Sequence, residues 1–322
     1  MAVLVYGEHT EGKFKKATFE AATFGAKLGA KFDLDVHAVV LGKVEEEEIK
    51  KLGQYGVSKV HHSSDDIFDR FEYGAFADAI IAAAKGCDTK HIVLAQSYNG
   101  RALAPRISVK YEAALLSGIK TLPEDGGAGV QVKRVVFSNK GIQTLSTGND
   151  KVVYTLQGNA FQPEEQPTEV SIESFSPEVS KTEGYEVKEV QRRTDKVSLT
   201  EADVVVSAGR GLKGPENWDM VEELADLLGA ATACSKPVAD IEWRPHHEHV
   251  GQTGIQISPN VYIAIGISGA IQHLAGVSAS KTIIVINKDP EAPFFKAADF
   301  GIVGDAFEVV PKLIDAVKAK KS

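Results

Sequence analysis

Residues 203–214 read DVVVSAGRGLKG: a β-branched run stops at Ala208, passes into Gly209-Arg210-Gly211-Leu212-Lys213-Gly214, and is followed by Pro215. A buried strand, a GxGxxG turn and a helix whose first turn accepts proline is the opening of a nucleotide-binding βαβ unit. The nicotinamide version of that unit needs an acidic residue about 20 positions on, at the end of the next strand, to hold the ribose. Here that region, residues 229–235, reads GAATACS, so the nicotinamide reading loses its second support. Arg210 instead sets a guanidinium inside the loop, which suits a phosphate approached from the side. A glycine-rich turn with no ligand is the competing reading.

Outward from this turn the same rhythm continues. YIAIGIS (262–268), KTIIVIN (281–287) and FGIVGD (300–305) are apolar strands that each end in Gly, Ser, Asn or Asp. Helical patterns at 216–228, 270–274 and 306–318 separate or follow them. A doubly wound sheet with its binding face at the carboxyl edge is expected. Ser268-Gly269-Ala270-Ile271-Gln272-His273 takes a buried strand abruptly into a helix, whose free amides and Ser268 hydroxyl form a second anion cradle. It is not a hydrolase elbow, because GISGA lacks the second Gly of GxSxG. Val250-Gly251-Gln252-Thr253-Gly254 is a third tight polar loop, and His246 to His249 (HHEH) precede it. That run fits neither HExxH nor an i, i+4 pair, and Pro245 opposes a helix, so a solvated loop is expected there.

Upstream, AVLVYGE, VHAVVLG, KVHHS and HIVLAQS alternate with helical patterns, the last running from about Ala102 to Leu116. This predicts a Rossmann-like parallel sheet covered on both faces. From Val130 four consecutive strands, QVKRVVFS, GIQTLST, KVVYTLQG and TEVSIESF, read as an antiparallel extension of it. The charged stretch 178–199 carries little apolar periodicity. Two domains follow, 1–195 and 196–322, both α/β, the second a doubly wound nucleotide-binding domain.

Composition removes other classes. The net charge of −8 with no basic, aromatic-laced block argues against nucleic acid. No apolar stretch approaches the ~20 residues of a bilayer crossing. Met1 leads straight into a strand, so no targeting segment is expected. Cys87 and Cys234 match no metal or CxxC spacing and read as reduced, buried thiols. The acidic residues Glu45 to Glu48, Asp65, Asp66 and Asp69 read as a helix start and an exposed loop. No residue set is left that attacks, protonates or binds metal, which assigns any chemistry to a cofactor.

Taken in order, SAGRGLKGPENW, ACSKPVAD, VGQTG, YIAIGISGAIQHLAG and TIIVINKDPEAPFF resemble the C-terminal FAD-binding region of the electron transfer flavoprotein alpha subunit. The likeness runs from Asp203 to the C-terminus. It implies a heterodimer with a beta subunit that carries AMP, against which the N-terminal domain packs, and FAD held by the C-terminal domain of this chain. Electrons would arrive from acyl-CoA dehydrogenases, as in fatty acid β-oxidation, and leave to the electron transfer flavoprotein quinone oxidoreductase. The setting would be a bacterial cytoplasm, or the mitochondrial matrix for a processed form.

By position, the resemblance implies that Arg210, with Gly211 beside it, contacts the adenosine diphosphate part or lies over the flavin. Ser235 and Lys236 follow the next strand, and Val250, Gly251, Gln252 and Thr253 run past the isoalloxazine. Ser268, Gly269, Ala270, Ile271, Gln272 and His273 take the pyrophosphate at their start and the flavin's pyrimidine edge at their end. Asn287, Asp305 and Ala306 hold the adenosine end. The family commonly has Ser-Arg where this chain has Ser235-Lys236. An electron-bifurcating relative that uses NADH, or an NAD-dependent dehydrogenase built on GRGLKG, are the competing functions.

Overall fold

The computed structural model describes every residue except 128, 138, 139, 181–187, 190–197 and 322. The chain divides into two compact units, Met1–Val136 with Gly141–Val190, and Gln191–Ser322 with Phe137–Lys140. The boundary expected between residues 195 and 196 lies outside the described residues.

The first unit runs β1 (Ala2–Tyr6), a short hairpin of β2 (His9–Thr10) and β3 (Lys13–Phe14), α1 (Lys16–Phe32), β4 (Asp35–Leu41), α2 (Glu46–Lys50), β5 (Lys59–Ser63) and α3 (Tyr73–Gly86). It continues with β6 (His91–Ala95), α4 (Tyr98–Tyr111), β7 (Ala114–Ile119), β8 (Glu124–Asp125), β9 (Val130–Val136), β10 (Gly141–Thr147), β11 (Val152–Leu156) and β12 (Ser171–Ser174). Seven strands form one sheet in the order β12-β5-β4-β1-β6-β11-β7, and every pairing in it is parallel. Phe24 and Leu28 of α1 fill one face, while Phe76 and Ile80 of α3 and Leu103 and Ile107 of α4 fill the other.

Two expectations are corrected here. Among the described residues the antiparallel extension consists of β8, β9 and β10; β11 inserts parallel between β6 and β7, and β12 pairs parallel with β5. The helix expected to reach Leu116 ends at Tyr111, because Glu112 adopts the left-handed conformation with φ 55°, and residues 114–119 are strand β7.

At the carboxyl edge of this sheet the strand order reverses between β1 and β6. There the chain supplies its own anion: the Glu8 carboxylate accepts hydrogen bonds from the Ser97 hydroxyl at 2.5 Å and the Asn99 amide at 2.9 Å. Ser97 also caps α4, its Oγ accepting from the Gly100 amide at 2.9 Å.

The second unit runs β13 (Val204–Ala208), α5 (Asp219–Leu228), β14 (Ala231–Cys234), α6 (Lys236–Asp240), β15 (Val261–Ile265), α7 (Ile271–Val277), β16 (Thr282–Asn287), β17 (Phe300–Val303) and α8 (Ala306–Lys321). Its five strands are all parallel, in the order β14-β13-β15-β16-β17. Val221 and Leu224 of α5, Val238 of α6 and Val310 and Ile314 of α8 pack on one face; Val277 of α7 packs with Val250 and Phe294 on the other. Sheet order reverses between β13 and β15, which puts the binding edge of such a fold at the loops after those two strands.

Candidate functional site

The loops after the strands of the second unit carry the sheet's hydrogen bonding one residue past its edge. The amide of Ser235 donates to the Ala208 carbonyl at 3.1 Å, that of Gly209 to Ile265 at 2.9 Å, that of Gly266 to Ile286 at 2.8 Å, and that of Gly304 to Asn287 at 3.0 Å. Four of the loop segments singled out in the sequence are thus stitched side by side.

The glycines of the GxGxxG turn serve a close approach, but of backbone to backbone. A Cβ on Gly211 would lie 2.6 Å from the Gly266 Cα, and one on Gly209 would lie 2.5 Å from the Gly266 carbonyl oxygen. Gly211 donates its amide to Gly266 at 3.1 Å, and Gly266 itself sits at φ +60°, a conformation glycine adopts without steric cost. In the same way Gly276 of α7 presses on Gly251, whose backbone a Cβ would meet at 2.5 Å. The Gln252 amide donates to the Gln272 carbonyl at 2.7 Å, which brings the VGQTG loop beside the start of α7.

On this edge Arg210, Gly211, Lys236, Gln252, Thr253, Ser268, Ala270, Ile271 and Gln272 are exposed. Among the described residues Arg210 and Lys236 have no ion-pair partner. No side chain caps α7, so its first amides face outward from the turn at Ser268 and Gly269. The remaining residues are engaged by the protein. Val250 is buried in the core and offers only backbone. Ser235 is buried at the start of α6, and Ala306 is buried at the start of α8. The Asn287 side chain donates to the Ile267 carbonyl at 2.9 Å and accepts from the Asp289 amide at 3.0 Å. Asp305 accepts from the Phe307 amide at 3.0 Å, an N-terminal cap on α8, and lies 3.9 Å from the Lys213 ammonium.

His273 is 7% exposed. Its Nε2 shares a 2.8 Å hydrogen bond with the Tyr262 hydroxyl, and its buried Nδ1 meets the Val250 backbone in a contact short of full hydrogen-bond geometry. Burial first, and then the neighbouring His249, lower its pKa to about 4. The imidazole is therefore neutral at pH 7, able to give or accept one hydrogen bond without adding charge.

Among the described residues the HHEH run does not bring three ligating side chains together. His246 and His247 are exposed, whereas Glu248 is buried and takes a two-pronged bond from Arg244, Nε to Oε2 at 2.7 Å and a terminal nitrogen to Oε1 at 2.8 Å. Arg244 also reaches Glu222 at 3.0 Å. Sequence reasoning passed over Arg244, although it stands four residues ahead of the one acid in that run. This pair fixes the segment from which the VGQTG loop departs. Next to it, burial and then the Glu248 carboxylate push the Cys234 thiol up to about 12, so it is inert. Cys87 is also a free thiol but only half-buried, not fully buried as expected.

Exposed loop ends gathered at the switch point of a five-stranded parallel sheet define a doubly wound α/β protein, a class whose ligands bind at the carboxyl edge. Residues 198–278 match the model of the electron transfer flavoprotein FAD-binding domain, and residues 3–192 match that of the electron transfer flavoprotein domain. The chain is 36% identical over 318 residues to electron transfer flavoprotein subunit alpha of Syntrophomonas wolfei, covering 98% of each chain. It is 35% identical to the subunit of the same name in Bacillus subtilis, over 98% of this chain and 97% of that one. The Mycobacterium leprae subunit is 37% identical over 99% and 98%. Among solved structures, a putative thiamin diphosphate-dependent enzyme from Mycobacterium smegmatis overlays 97% of this chain and 59% of its own with a TM-score of 0.24 and 9% identity, a likeness too slight to bear on the fold. The chain belongs to the electron transfer flavoprotein alpha-subunit family, a family of electron carriers. No helix among the described residues is long and apolar enough to cross a membrane.

Proposed function

We propose that this chain is the FAD-holding subunit of a heterodimer with an electron transfer flavoprotein beta subunit that carries AMP. The complex takes electrons from acyl-CoA and other dehydrogenases and passes them to a quinone oxidoreductase of the respiratory chain, in a bacterial cytoplasm or a mitochondrial matrix. One observation carries the reading. The carboxyl edge of the second unit gathers two exposed cations without ion-pair partners among the described residues, an uncapped helix start and, next to it, one buried neutral imidazole, which is a donor set suited to a dianionic pyrophosphate and a polar ring edge.

FAD, when bound, supplies the electron transfer. The chain's own residues hold and tune it. Arg210 and the amides from Ser268 to Gln272 would bind the diphosphate, and Asp305 with Ala306 would lie at the adenosine end. Thr253 and His273 would hydrogen-bond the flavin ring. Arg210 binds and sets potential but moves no proton, since a guanidinium does not release one at neutral pH. Lys236 keeps positive charge at the edge. A unit charge at ~5 Å in an effective dielectric of about 20 is worth roughly 3 kcal/mol, or roughly 140 mV. Because Lys236 is exposed, screening cuts this to tens of millivolts. Lys236→Ala should lower the first reduction potential by that amount, and Lys236→Arg should raise it slightly.

The test is co-purification. Expressed with its beta subunit the chain should run as a heterodimer with one FAD and one AMP and show no spectral change on adding NADH. A stable, fully flavinated monomer would defeat the heterodimer reading, and bleaching by NADH would favour the bifurcating or NAD-dependent one. Thr253→Ala and His273→Ala should each shift the one-electron potentials, and Arg210→Ala should weaken FAD binding.

A further inference from the structure

A second cluster lies far from these loops in sequence, wholly within the first unit. His37 stands on β4, His61 on the neighbouring β5, and Cys87 just past the end of α3. Side chains alternate along a strand; Val36 and Ala38 face the α1 side, so His37 and His61 face the side covered by α3. One ligating atom from each of His37, His61 and Cys87 lies within 4.8 Å of the other two. We propose that these three side chains form a binding site for a thiophilic divalent cation, Zn²⁺ above others.

The spacing carries the argument. The His61 Nε2 and His37 Nδ1 are 3.3 Å apart. Two imidazole nitrogens bound to zinc at about 2.0–2.1 Å in tetrahedral geometry stand about 3.3–3.4 Å from one another. The two rings therefore already hold the separation that the metal needs. The other nitrogen of His61, Nδ1, points toward the Glu173 carboxylate at 3.7 Å, and Glu173 is itself held by Lys59 at 2.8 Å. A carboxylate behind the remote nitrogen keeps the proton there and the lone pair of Nε2 toward the metal, the arrangement that orients metal-bound histidines. Desolvation lowers the pKa of both imidazoles, so both are neutral at pH 7, as ligands must be.

Cys87 now gives its thiol hydrogen to the Ala83 carbonyl, with sulfur and oxygen 3.1 Å apart. Burial raises the Cys87 pKa, so the thiol carries its hydrogen at pH 7. Binding replaces that hydrogen: the Sγ–H bond breaks, the proton goes to solvent, and the thiolate joins the cation. The hydrogen that His37 Nδ1 gives to His61 Nε2 moves to the other nitrogen of His37 by exchange with solvent, so the net release is one proton per metal bound. With all three side chains half-buried, solvent reaches the site and supplies the fourth ligand. Soft thiolate with two imidazoles favours zinc over magnesium or calcium, which take oxygen ligands.

The experiment is equilibrium dialysis of the FAD-loaded complex against Zn²⁺ alone, with bound metal counted by mass spectrometry. One ion per alpha chain is expected, with about one proton released, and Cys87→Ser and His61→Gln should each weaken it at least about tenfold. His246→Gln/His247→Gln, which removes two exposed histidines of the HHEH loop, should bind as the wild type does. Equal binding by wild type and Cys87→Ser would overturn the proposal, as would loss of binding in the loop variant. Should Cys87→Ser fold poorly, Co²⁺ in the wild type reads the ligands directly. A thiolate-to-cobalt charge-transfer band supports the site, and nitrogen and oxygen ligation alone overturns it.

Discussion

The two sheets meet the same topological problem and finish it differently. Each reverses strand order at its carboxyl edge, the first between β1 and β6 and the second between β13 and β15. In the first, Glu8 brings a carboxylate to the start of α4 and shares it with Ser97 and Asn99, so the place where a phosphate would sit is taken by the chain itself. In the second, two carboxylates are engaged elsewhere, Glu248 by Arg244 and Asp305 by the start of α8 and Lys213, and the loop ends keep exposed cations and an uncapped helix. A doubly wound fold offers an anion site at every switch point, and an acid that the chain itself places there competes for it.

The largest effect expected from breaking this arrangement is at Arg244. Arg244→Met leaves Glu248 buried and unpaired, which should cost about 3–5 kcal/mol in urea unfolding of the second unit. A loss below about 1 kcal/mol would show that the ion pair does not hold the loop.

Next comes acid. Each unit buries one histidine against a tyrosine hydroxyl, His91 with Tyr154 and His273 with Tyr262, and burial lowers both to about 4. An unfolded histidine titrates near 6.5, so the unfolded state binds more protons below that pH. Stability from each pair should be complete above pH 6.5 and be lost as pH falls toward 4, by about 3 kcal/mol in all per histidine. His273→Gln should remove that share of the slope from the second unit only; an unchanged slope would mean that His273 is not buried neutral.

Smaller again is Gly211→Ala. Its methyl group would press on Gly266, costing about 1–3 kcal/mol and loosening FAD retention, whereas wild-type retention would separate the loop contact from the site. The smallest change is at the first edge. Glu8→Gln should cost about 1 kcal/mol, yet convert that edge toward the second: inorganic phosphate should then raise the melting temperature of the variant and not of the wild type. Equal response in both would show that Glu8 does not stand in for an anion.

How much of this was legible depended on whether the signal was local. Strands β13, β15 and β16 were readable because each is a continuous apolar run closed by a polar or glycine residue. The same rule separates β11, VVYTL and buried throughout, from β10, GIQTLST and mostly exposed; continuous burial marks a central parallel strand and half-exposure an antiparallel ribbon. Read that way, β11 belongs in the main sheet from sequence alone. Strand β7 was hidden because EAALL favours helix and the residue that stops α4 is a glutamate rather than a glycine. At the carboxyl edge, motif and spacing picked out the loops that follow the strands, but not that Asn287 and Asp305 engage their polar atoms with the protein. The pairing of His37, His61 and Cys87 was invisible for a related reason: its members come from three elements, and only the parallel register of β4 with β5 brings the two histidines together.

The contact between Gly211 and Gly266 has a consequence for charge transfer itself. Where backbone lies directly on backbone, no side chain intervenes that could swing to a new rotamer, and the peptide dipoles are locked by the hydrogen bond from one glycine to the other. A flavin held above such a floor, as proposed, would find surroundings that barely repolarise. The energy spent on rearranging the environment, which sets the pace of electron hopping as much as distance does, would then be kept small by two residues that contribute no side chain at all.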